Sequence, residues 1–153
     1  MPPATLRLNI LIHAPVQTVF DYVADLTRHG EWSSDPVQIH AISDGGPGQG
    51  KRYASKAESH GTVFETELEI TEFERLSRLV FEGADATGKF RHVFTFEPTG
   101  NGTLVRREMR FDATPAQWLL FYLALYPVRI PSGKRTLERL KKRLEAETQA
   151  GLV

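Results

Sequence analysis

The C-terminal stretch, residues 115–150, limits what this chain can fold into more than any other feature. Its first half, residues 118–126, is apolar on every side, so we expect neighbouring structure to cover it on most sides. Its second half, residues 132–149, is amphipathic, with leucines three and four residues apart and charged residues between them. The stretch therefore predicts a helical arm that packs against a concave sheet.

Two prolines divide this arm. Pro127 and Pro131 lie between the two halves, and a proline inside a helix ends or kinks it because it lacks an N–H group and crowds the preceding turn. We therefore expect the helix to be interrupted at these prolines. The apolar run is also much shorter than the roughly 20 residues that cross a bilayer, so we predict no integral membrane segment.

The length and composition of the chain favour one soluble domain. A length of 153 residues suits a single core, and we predict one domain over residues 1–153. Nineteen basic residues balance nineteen acidic ones, so no net field attracts nucleic acid and we predict no such partner. The absence of cysteine excludes disulfides and thiolate metal sites. No signal-peptide pattern begins the chain, which favours a cytoplasmic protein.

Alternating apolar and polar residues predict seven strands. The strands are residues 5–12, 37–42, 52–58, 63–73, 78–83, 89–97 and 103–112. After the first of them, Pro15 opens a helix with an apolar stripe, and a turn then ends in Trp32. The later strands follow one another at short intervals with turn residues between them, which predicts an antiparallel meander.

Several short segments carry a resemblance to a known family. The most specific one is residues 12–25 followed by Trp32, and residues 50–53, 71–74, 78–81 and 102–105 support it. With the order of elements, they resemble the START-type helix-grip (SRPBCC) superfamily, and within it the bacterial polyketide cyclase/dehydrase and lipid-transport-like group. These positions define a fold and not a reaction. His13 departs from the family pattern, which more often has a small polar or acidic residue there, so it inherits no role.

The resemblance implies an α+β helix-grip fold, in which a curved seven-stranded antiparallel sheet wraps around the long C-terminal helix and two short helices follow the first strand. It also implies an apolar cavity between sheet and helix that binds a hydrophobic small molecule. The residues that we expect to line this cavity are Trp32, Tyr53, Phe64, Leu68, Phe81, Phe90, His92, Phe94, Arg107, Met109, Trp118, Phe121 and Tyr122.

Two polar residues, His92 and Arg107, interrupt the inward apolar pattern. If residues 98–101 form a four-residue hairpin loop, the register sets His92 directly opposite Arg107. The charge of Arg107 is then expected to lower the pKa of His92 and keep its ring neutral. Three roles follow for such a pair: hydrogen bonding to water at an open end of the cavity, orientation of a ligand carbonyl or carboxylate, or acid/base catalysis.

No metal or cofactor site is predicted, and no catalytic residue is assigned. The other histidines are scattered without the spacing of a helical metal pair: His13, His29, His40 and His60. The glycine-rich loop at residues 44–50 lacks the Gly-Lys-Ser/Thr sequence of a phosphate-binding loop, so we interpret it as a hairpin connection. The basic residues between positions 134 and 143 are interleaved with Glu138, Glu145 and Glu147 on the same helix, which favours a solvated helix face over a partner site.

Three functions are compatible with the sequence. The leading hypothesis is a module that binds a hydrophobic small molecule, such as a lipid, an isoprenoid, a quinone or an aromatic polyketide. The second is a polyketide aromatase/cyclase or dehydratase that uses His92 and Arg107 as its polar pair. The third is an interaction protein whose helix at residues 115–127 docks on a partner or a membrane surface. The sequence identifies neither the ligand nor the oligomeric state.

Overall fold

One strand and two short helices precede six further strands in the computed structural model, which describes residues 3–59, 61–85 and 88–151. The strands are β1 (Ala4–Ile12), β2 (Val37–Ala41), β3 (Arg52–Ser59), β4 (Thr62–Glu74), β5 (Arg78–Asp85), β6 (Gly88–Thr99) and β7 (Gly102–Phe111). The helices are α1 (Val16–Ala24), a 3-10 helix (Leu26–Glu31), α2 (Pro115–Leu120), a π-helical segment (Phe121–Leu125) and α3 (Tyr126–Gln149). The predicted strands and the C-terminal helix are confirmed.

The seven strands form one antiparallel sheet in the order β1-β7-β6-β5-β4-β3-β2. Consecutive hairpins join β2 to β7, and β1 returns to pair with β7. Most strands bury alternate residues, as expected when one side of an antiparallel sheet is covered, although Val80 and Val93 form a buried apolar pair on the other face. On β4, for example, Leu68 and Ile70 are buried whereas Glu67 and Glu69 are exposed. The architecture is the predicted α+β helix-grip fold.

Helix α3 covers the inner face of the sheet with its leucines. Leu137, Leu140 and Leu144 are at most 2% exposed. The helix also lies close to β1, because a Cβ atom on Gly133 would sit only 2.3 Å from Cδ1 of Leu8. The amphipathic half of the arm therefore packs on the sheet as its sequence predicts.

The short helices after β1 carry Trp32 into the core. Helix α1 buries Phe20, whose ring centroid lies 5.1 Å from that of Phe96 on β6. The side chain of Asp25 then caps the 3-10 helix by accepting a hydrogen bond from the Thr27 N–H group at 3.2 Å. Trp32, at the C-terminal end of this helix, is 1% exposed. The segment that carries the family resemblance thus positions a large aromatic residue on the inner face.

The predicted register between β6 and β7 is wrong by two residues. Thr99 pairs with Gly102, so the turn has two residues and Arg107 lies opposite Phe94 instead of His92. Strand β6 continues through Pro98 because β5 begins at Arg78, which pairs with Thr95, so no β5 residue lies beside Pro98 and needs a hydrogen bond from its nitrogen. A shift of two residues keeps every side chain on its face. Alternation alone therefore could not detect the error.

The predicted interruption of the arm lies earlier than the prolines. The helix widens into a π-helical turn at Phe121–Leu125, and α3 then runs without a break through Pro127 and Pro131. Pro127 occupies the first turn of α3, where no N–H partner is required. Pro131 deprives one carbonyl of its donor, but both prolines are exposed and water can hydrate that carbonyl.

The prediction that residues 118–126 are covered on most sides is also wrong. Leu119, Leu120 and Leu123 are 55%, 56% and 72% exposed, respectively. Only the other side of this segment packs inward, through Phe121 at 6% exposure. Among the residues that the structure describes, no helix combines the length and the hydropathy needed to cross a membrane. This segment therefore packs on the protein with one side and exposes apolar side chains on the other.

Replacement of Gly102 by alanine is expected to destabilise the fold by about 1–3 kcal/mol, as overpacking of a tight site does. A Cβ atom there would lie 2.2 Å from the carbonyl oxygen of Ile12 and 3.0 Å from Cα of His13, and backbone atoms cannot move aside easily. Gly100 is the matched control, since its added Cβ would meet nothing within 4 Å. Urea unfolding of both variants measures the difference, and equal stability would contradict the close approach of β7 to β1.

Candidate ligand-binding site

A buried arginine is the most unusual feature of the inner face. Arg107, on β7, is 6% exposed, and no carboxylate forms an ion pair with it anywhere in residues 3–59, 61–85 and 88–151. Its Nη2 lies 3.4 Å from Nδ1 of His92. Its Nε is buried without a hydrogen-bond partner. A buried cation normally has an anionic partner, so this arrangement calls for an explanation.

Aromatic rings surround the guanidinium group. Its Cζ lies 5.4 Å from the ring centroid of Phe94 and 6.0 Å from that of Trp32, within the range of cation–π attraction. These rings compensate only part of the lost hydration. Trp32 itself leaves its Nε1 donor buried and unpaired. Two unused N–H donors therefore lie in one apolar environment.

Two histidines complete the polar group, and both are neutral at pH 7. Burial, and then the positive charge of Arg107, lower the pKa of His29 to about 3. The same two causes, in the same order, hold the pKa of His92 well below its usual value. Burial also lowers the pKa of Arg107 to about 10, which leaves it cationic. The cluster thus carries one positive charge.

The hydrogen-bond geometry assigns the tautomer of His92. Arginine can only donate, so Nδ1 of His92 accepts from Arg107 and its proton resides on Nε2. The His92 ring is stacked on Phe81 at 4.8 Å, which holds its orientation. Glu72 accepts hydrogen bonds from Arg78 at 2.6 Å and from Arg91 at 2.5 Å and does not pair with Arg107. The inner cluster therefore offers donors and a positive charge without an acid.

An aromatic rim leads from this cluster to the helical arm. Phe90 lies 5.4 Å from His92 between ring centroids and pairs with Phe111 across the strands. Phe111 in turn contacts Phe121 of the π-helical segment at 5.7 Å. The Arg129 guanidinium lies 5.5 Å from the Phe111 ring, and its charge contributes to the lowered pKa of His92. A continuous row of aromatic side chains thus connects the polar cluster with the arm.

Two open depressions lie elsewhere, on the outer face of the sheet. One of about 490 Å³ is bordered by His40 and Lys56, and one of about 520 Å³ is bordered by Glu69 and Arg110. Outward-facing charged side chains form much of their walls, so neither is the apolar cavity that the resemblance implies. On the inner face the candidate residues are buried or half-buried, so a ligand must displace side chains to enter.

The sequence-predicted lining residues form three groups. The first group consists of Arg107 and the rings around it: Trp32, Phe81, Phe90, His92 and Phe94. Trp118, Phe121 and Tyr122 pack against one another on the arm. Met109 lies opposite both His92 and Leu6, whereas Tyr53, Phe64 and Leu68 lie farther along the sheet, on β3 and β4.

Sequence reasoning misses three residues of the site. His29 stands among the scattered histidines of the sequence, yet its ring lies 4.3 Å from Trp32. The sequence does indicate this contact, because His29 and Trp32 are three residues apart and such residues are neighbours on a helical turn. Phe111 and Arg129 are missed because their contact depends on how the arm crosses the end of β7.

No group of three or more histidine, aspartate or glutamate side chains is arranged to hold a metal in the part of the chain that the structure describes. His60 lies outside the described residues. His40 is exposed on β2, the edge strand at the far end of the sheet from β1 and β7, and the exposed His13 contacts the Asn101 carbonyl oxygen through Nδ1 at 3.2 Å. The donor groups around Arg107 suit an acceptor or an anion better than a cation.

Acidification is expected to destabilise the fold, because His29 and His92 take up protons more readily in the unfolded chain. In the folded state the pKa of His29 is about 3 and that of His92 is well below its usual value, whereas unfolded histidine titrates near about 6.5. The unfolded chain therefore binds more protons below that pH. The free energy of unfolding should fall as pH drops, by up to about 1.4 kcal/mol per pH unit for each histidine.

Urea unfolding at a series of pH values from neutral to mildly acidic measures this slope. His92→Phe should flatten it while the surrounding aromatic packing is kept, and the exposed His40→Phe is the matched control. A slope that is unchanged in His92→Phe would contradict the neutral, desolvated state of this ring.

The fold and site together define the class of the protein. A seven-stranded antiparallel sheet closed by a long C-terminal helix, with two short helices after β1 and an inner apolar surface, is the helix-grip class. Residues 3–145 match the family described as polyketide cyclase / dehydrase and lipid transport. The chain belongs to this family, as the sequence resemblance predicted.

Solved structures share this fold at low sequence identity. TTHA0849 from Thermus thermophilus is 19% identical, with a TM-score of 0.74 over 93% of this chain and 97% of that chain. NE0264 from Nitrosomonas europaea is 18% identical, with a TM-score of 0.70 over 95% and 97%. CV1439 from Chromobacterium violaceum is 16% identical, with a TM-score of 0.68 over 93% and 97%. No curated protein matches the sequence.

Proposed function

We propose that the protein binds a hydrophobic small molecule with an acidic or carbonyl head group between its sheet and its C-terminal arm. The observation that carries the proposal is Arg107, a buried cation whose Nε has no hydrogen-bond partner and which has no carboxylate partner among the residues that the structure describes. The head group would accept hydrogen bonds from Nε of Arg107 and Nε1 of Trp32, which are buried and unpaired in the structure. The apolar part of the ligand would lie along the aromatic rim towards the arm.

The energetics favour a ligand over a purely structural arginine. Removal of a charge from water costs several kcal/mol, and the two nearby rings return only about 2 kcal/mol or less each. A structural arginine at an open end of the cavity would reach water or an acid, but Arg107 is 6% exposed and its Nε is unpaired. A ligand carboxylate would supply the missing charge and the missing acceptors together.

The chemistry of the rim fits a long or planar apolar group. Phe90, Phe111 and Phe121 present aromatic surfaces between the polar cluster and the arm. Lipids, isoprenoids, quinones and aromatic polyketides each combine such a group with a polar end. The family to which the chain belongs is described by both polyketide chemistry and lipid transport, which supports this range of ligands.

Acid/base catalysis is the weaker proposal for this site. The lowered pKa values of His29 and His92 keep both rings neutral, but they also make each ring a poor base at neutral pH. Arg107 is charged throughout this range and cannot exchange a proton with a substrate. The cluster is therefore suited to orienting and neutralising a ligand group.

Saturable binding of an uncharged hydrophobic dye, N-phenyl-1-naphthylamine, tests the ligand site. We expect about one dye per chain, as one inner surface allows. Leu68→Trp adds bulk on the inner face of β4 next to Phe90, since a Cβ atom on Gly83 would lie 2.8 Å from Cδ2 of Leu68 and 2.7 Å from Cζ of Phe90. It should weaken binding by about tenfold or more, because volume added to a packed site is costly. Glu67→Trp places the same ring on the outer face and is the matched control.

Absence of saturable binding would contradict a hydrophobic ligand site. Equal weakening by the inner and the outer tryptophan would place the dye on the outer surface instead. Either result would leave a filled-core interaction domain as the better account.

A further inference from the structure

The arm has an exposed face that is almost entirely apolar. Its exposed apolar residues recur at helical spacing: Ala116, Leu119, Leu120, Leu123, Ala124, Pro127, Val128 and Pro131. Four of them are large and more than half exposed, with Leu123 at 72%. An exposed apolar face of this length in a folded chain marks an interaction site.

The opposite face of the same segment is already used for packing. Phe121 is buried against Phe111, and the Tyr122 hydroxyl donates to the Thr5 carbonyl at 3.3 Å. The helix therefore cannot rotate its leucines into the core without losing these contacts. The leucine face is fixed towards the outside.

The charged side chains within this segment are all basic. The chain contains no acidic residue between Asp112 and Glu138, whereas Arg129, Lys134 and Arg135 are exposed. Positions 134 and 135 follow Pro131 by three and four residues and continue the same helix face. An apolar face that ends in basic residues is complementary to a surface with an apolar interior and anionic head groups.

We propose that this face of the arm docks on an anionic lipid bilayer, with the leucines in the acyl boundary and the basic residues at the head groups. Trp118, Tyr122 and Tyr126 are only partly buried beside it, and such aromatic residues favour the membrane interface. A second copy of the chain is a poorer occupant, because it would present the same apolar and basic face and so offers no anionic group to Arg129, Lys134 and Arg135. The proposal goes beyond ligand binding and does not depend on it.

The same contact would set the candidate site at the membrane. Phe121 and Arg129 belong both to the arm and to the rim, each within 5.7 Å of the Phe111 ring. A docked arm therefore brings the rim to the lipid surface.

Flotation of the full chain with vesicles tests the docking. We expect the protein to bind vesicles of phosphatidylcholine mixed with phosphatidylglycerol, and to bind pure phosphatidylcholine vesicles much more weakly. Binding should weaken as salt rises, because the head-group attraction is screened. Leu119→Ser combined with Leu123→Ser should lower the partition coefficient by about tenfold or more for each leucine, given the transfer energy of a leucine side chain.

Val63→Ser is the matched control, since Val63 on β4 is 51% exposed but lies outside the arm. It should leave vesicle binding unchanged. Lys134→Gln combined with Arg135→Gln should lower binding to the mixed vesicles and reduce its salt dependence. Urea unfolding of every variant checks that the fold is intact, and we expect no loss of stability at these exposed positions.

Three results would overturn the proposal. One is the absence of binding to anionic vesicles. Another is equal binding of the leucine variant and the native chain. The third is a dimer, measured by light scattering, that the leucine variant converts to a monomer without any vesicle binding by the native chain. That last outcome would assign the face to a second copy.

Discussion

A chain that ends at Thr114 is expected to lose cooperative folding. The deletion removes Phe121, Leu137, Leu140 and Leu144, which are 6% exposed or less. It also uncovers the inner face of β1, on which α3 packs through Gly133. Each buried side chain of this size contributes about 1.5–3 kcal/mol, and a folded domain is stable by only about 5–15 kcal/mol. Circular dichroism during urea titration should show no sharp transition.

Point variants keep this prediction testable if the truncated chain is insoluble. Leu140→Ala should cost about 2–5 kcal/mol, because Leu140 is fully buried and its loss leaves a cavity. Leu123→Ala changes the same residue type in the same arm at 72% exposure, and should change stability by about 0.5 kcal/mol or less. Equal costs, or a truncated chain that unfolds cooperatively as a monomer, would show that the arm is not part of the core.

Replacement of Arg107 by methionine is expected to raise the free energy of unfolding, by about 1–4 kcal/mol, as when buried charges are replaced by apolar groups. The reason is that Arg107 loses its hydration on folding without gaining a carboxylate, so the native chain carries an uncompensated cost. Methionine can fill the space between Trp32 and Phe94. A gain in stability on replacement is expected of a residue that is retained for function at the expense of stability.

The neighbouring Arg106 gives the matched control for this variant. Arg106 points outward on β7, where its side chain is 54% exposed and pairs with Glu97 at 2.8 Å. Arg106→Met should change stability by about 0.5 kcal/mol or less, since exposed ion pairs contribute little. A loss of stability in Arg107→Met that exceeds the loss in Arg106→Met would mean that Arg107 supports the fold itself.

The fold was largely predictable because its signals are local. Alternation on the strands, the leucine spacing of α3 and the segment that ends in Trp32 all specify which side of an element is buried. These signals agree with one another, and each was confirmed in the structure. The same signals also placed His92 and Arg107 on the inner face, where they are within 3.4 Å of each other.

The register of β6 and β7 was not predictable from alternation. In the sequence, Pro98 is typical of a loop. It fits a strand because β5 begins opposite Thr95 and so has no residue beside Pro98. His92 and Arg107 still meet, because a shift of two residues makes them diagonal neighbours instead of direct ones. The contact between His92 and Arg107 is therefore present although the predicted register was wrong.

The exposure of the arm and the role of His29 depend on tertiary structure. An apolar run such as residues 118–126 indicates burial but not how many of its sides other elements reach, and here the sheet covers only one. His29 joins Arg107 because the 3-10 helix packs against the inner face through Trp32. The exposed side of the arm has no signature in the local sequence, and the three-residue spacing of His29 and Trp32 indicates their contact but not their approach to Arg107.

The central claim is that Arg107 binds the head group of a hydrophobic ligand. Titration with a dansyl-labelled undecanoate and with its methyl ester tests it most directly. The two probes have the same apolar part and differ only at the head group, which is a carboxylate in one and an uncharged methyl ester in the other. In the native chain the acid should bind more tightly, by about 1.5–3 kcal/mol for a charge-assisted hydrogen bond, or about 10- to 150-fold. In Arg107→Met this difference should vanish, because the charge that distinguishes the acid from the ester is gone; equal affinities for acid and ester in the native chain would contradict a charge-assisted contact with Arg107.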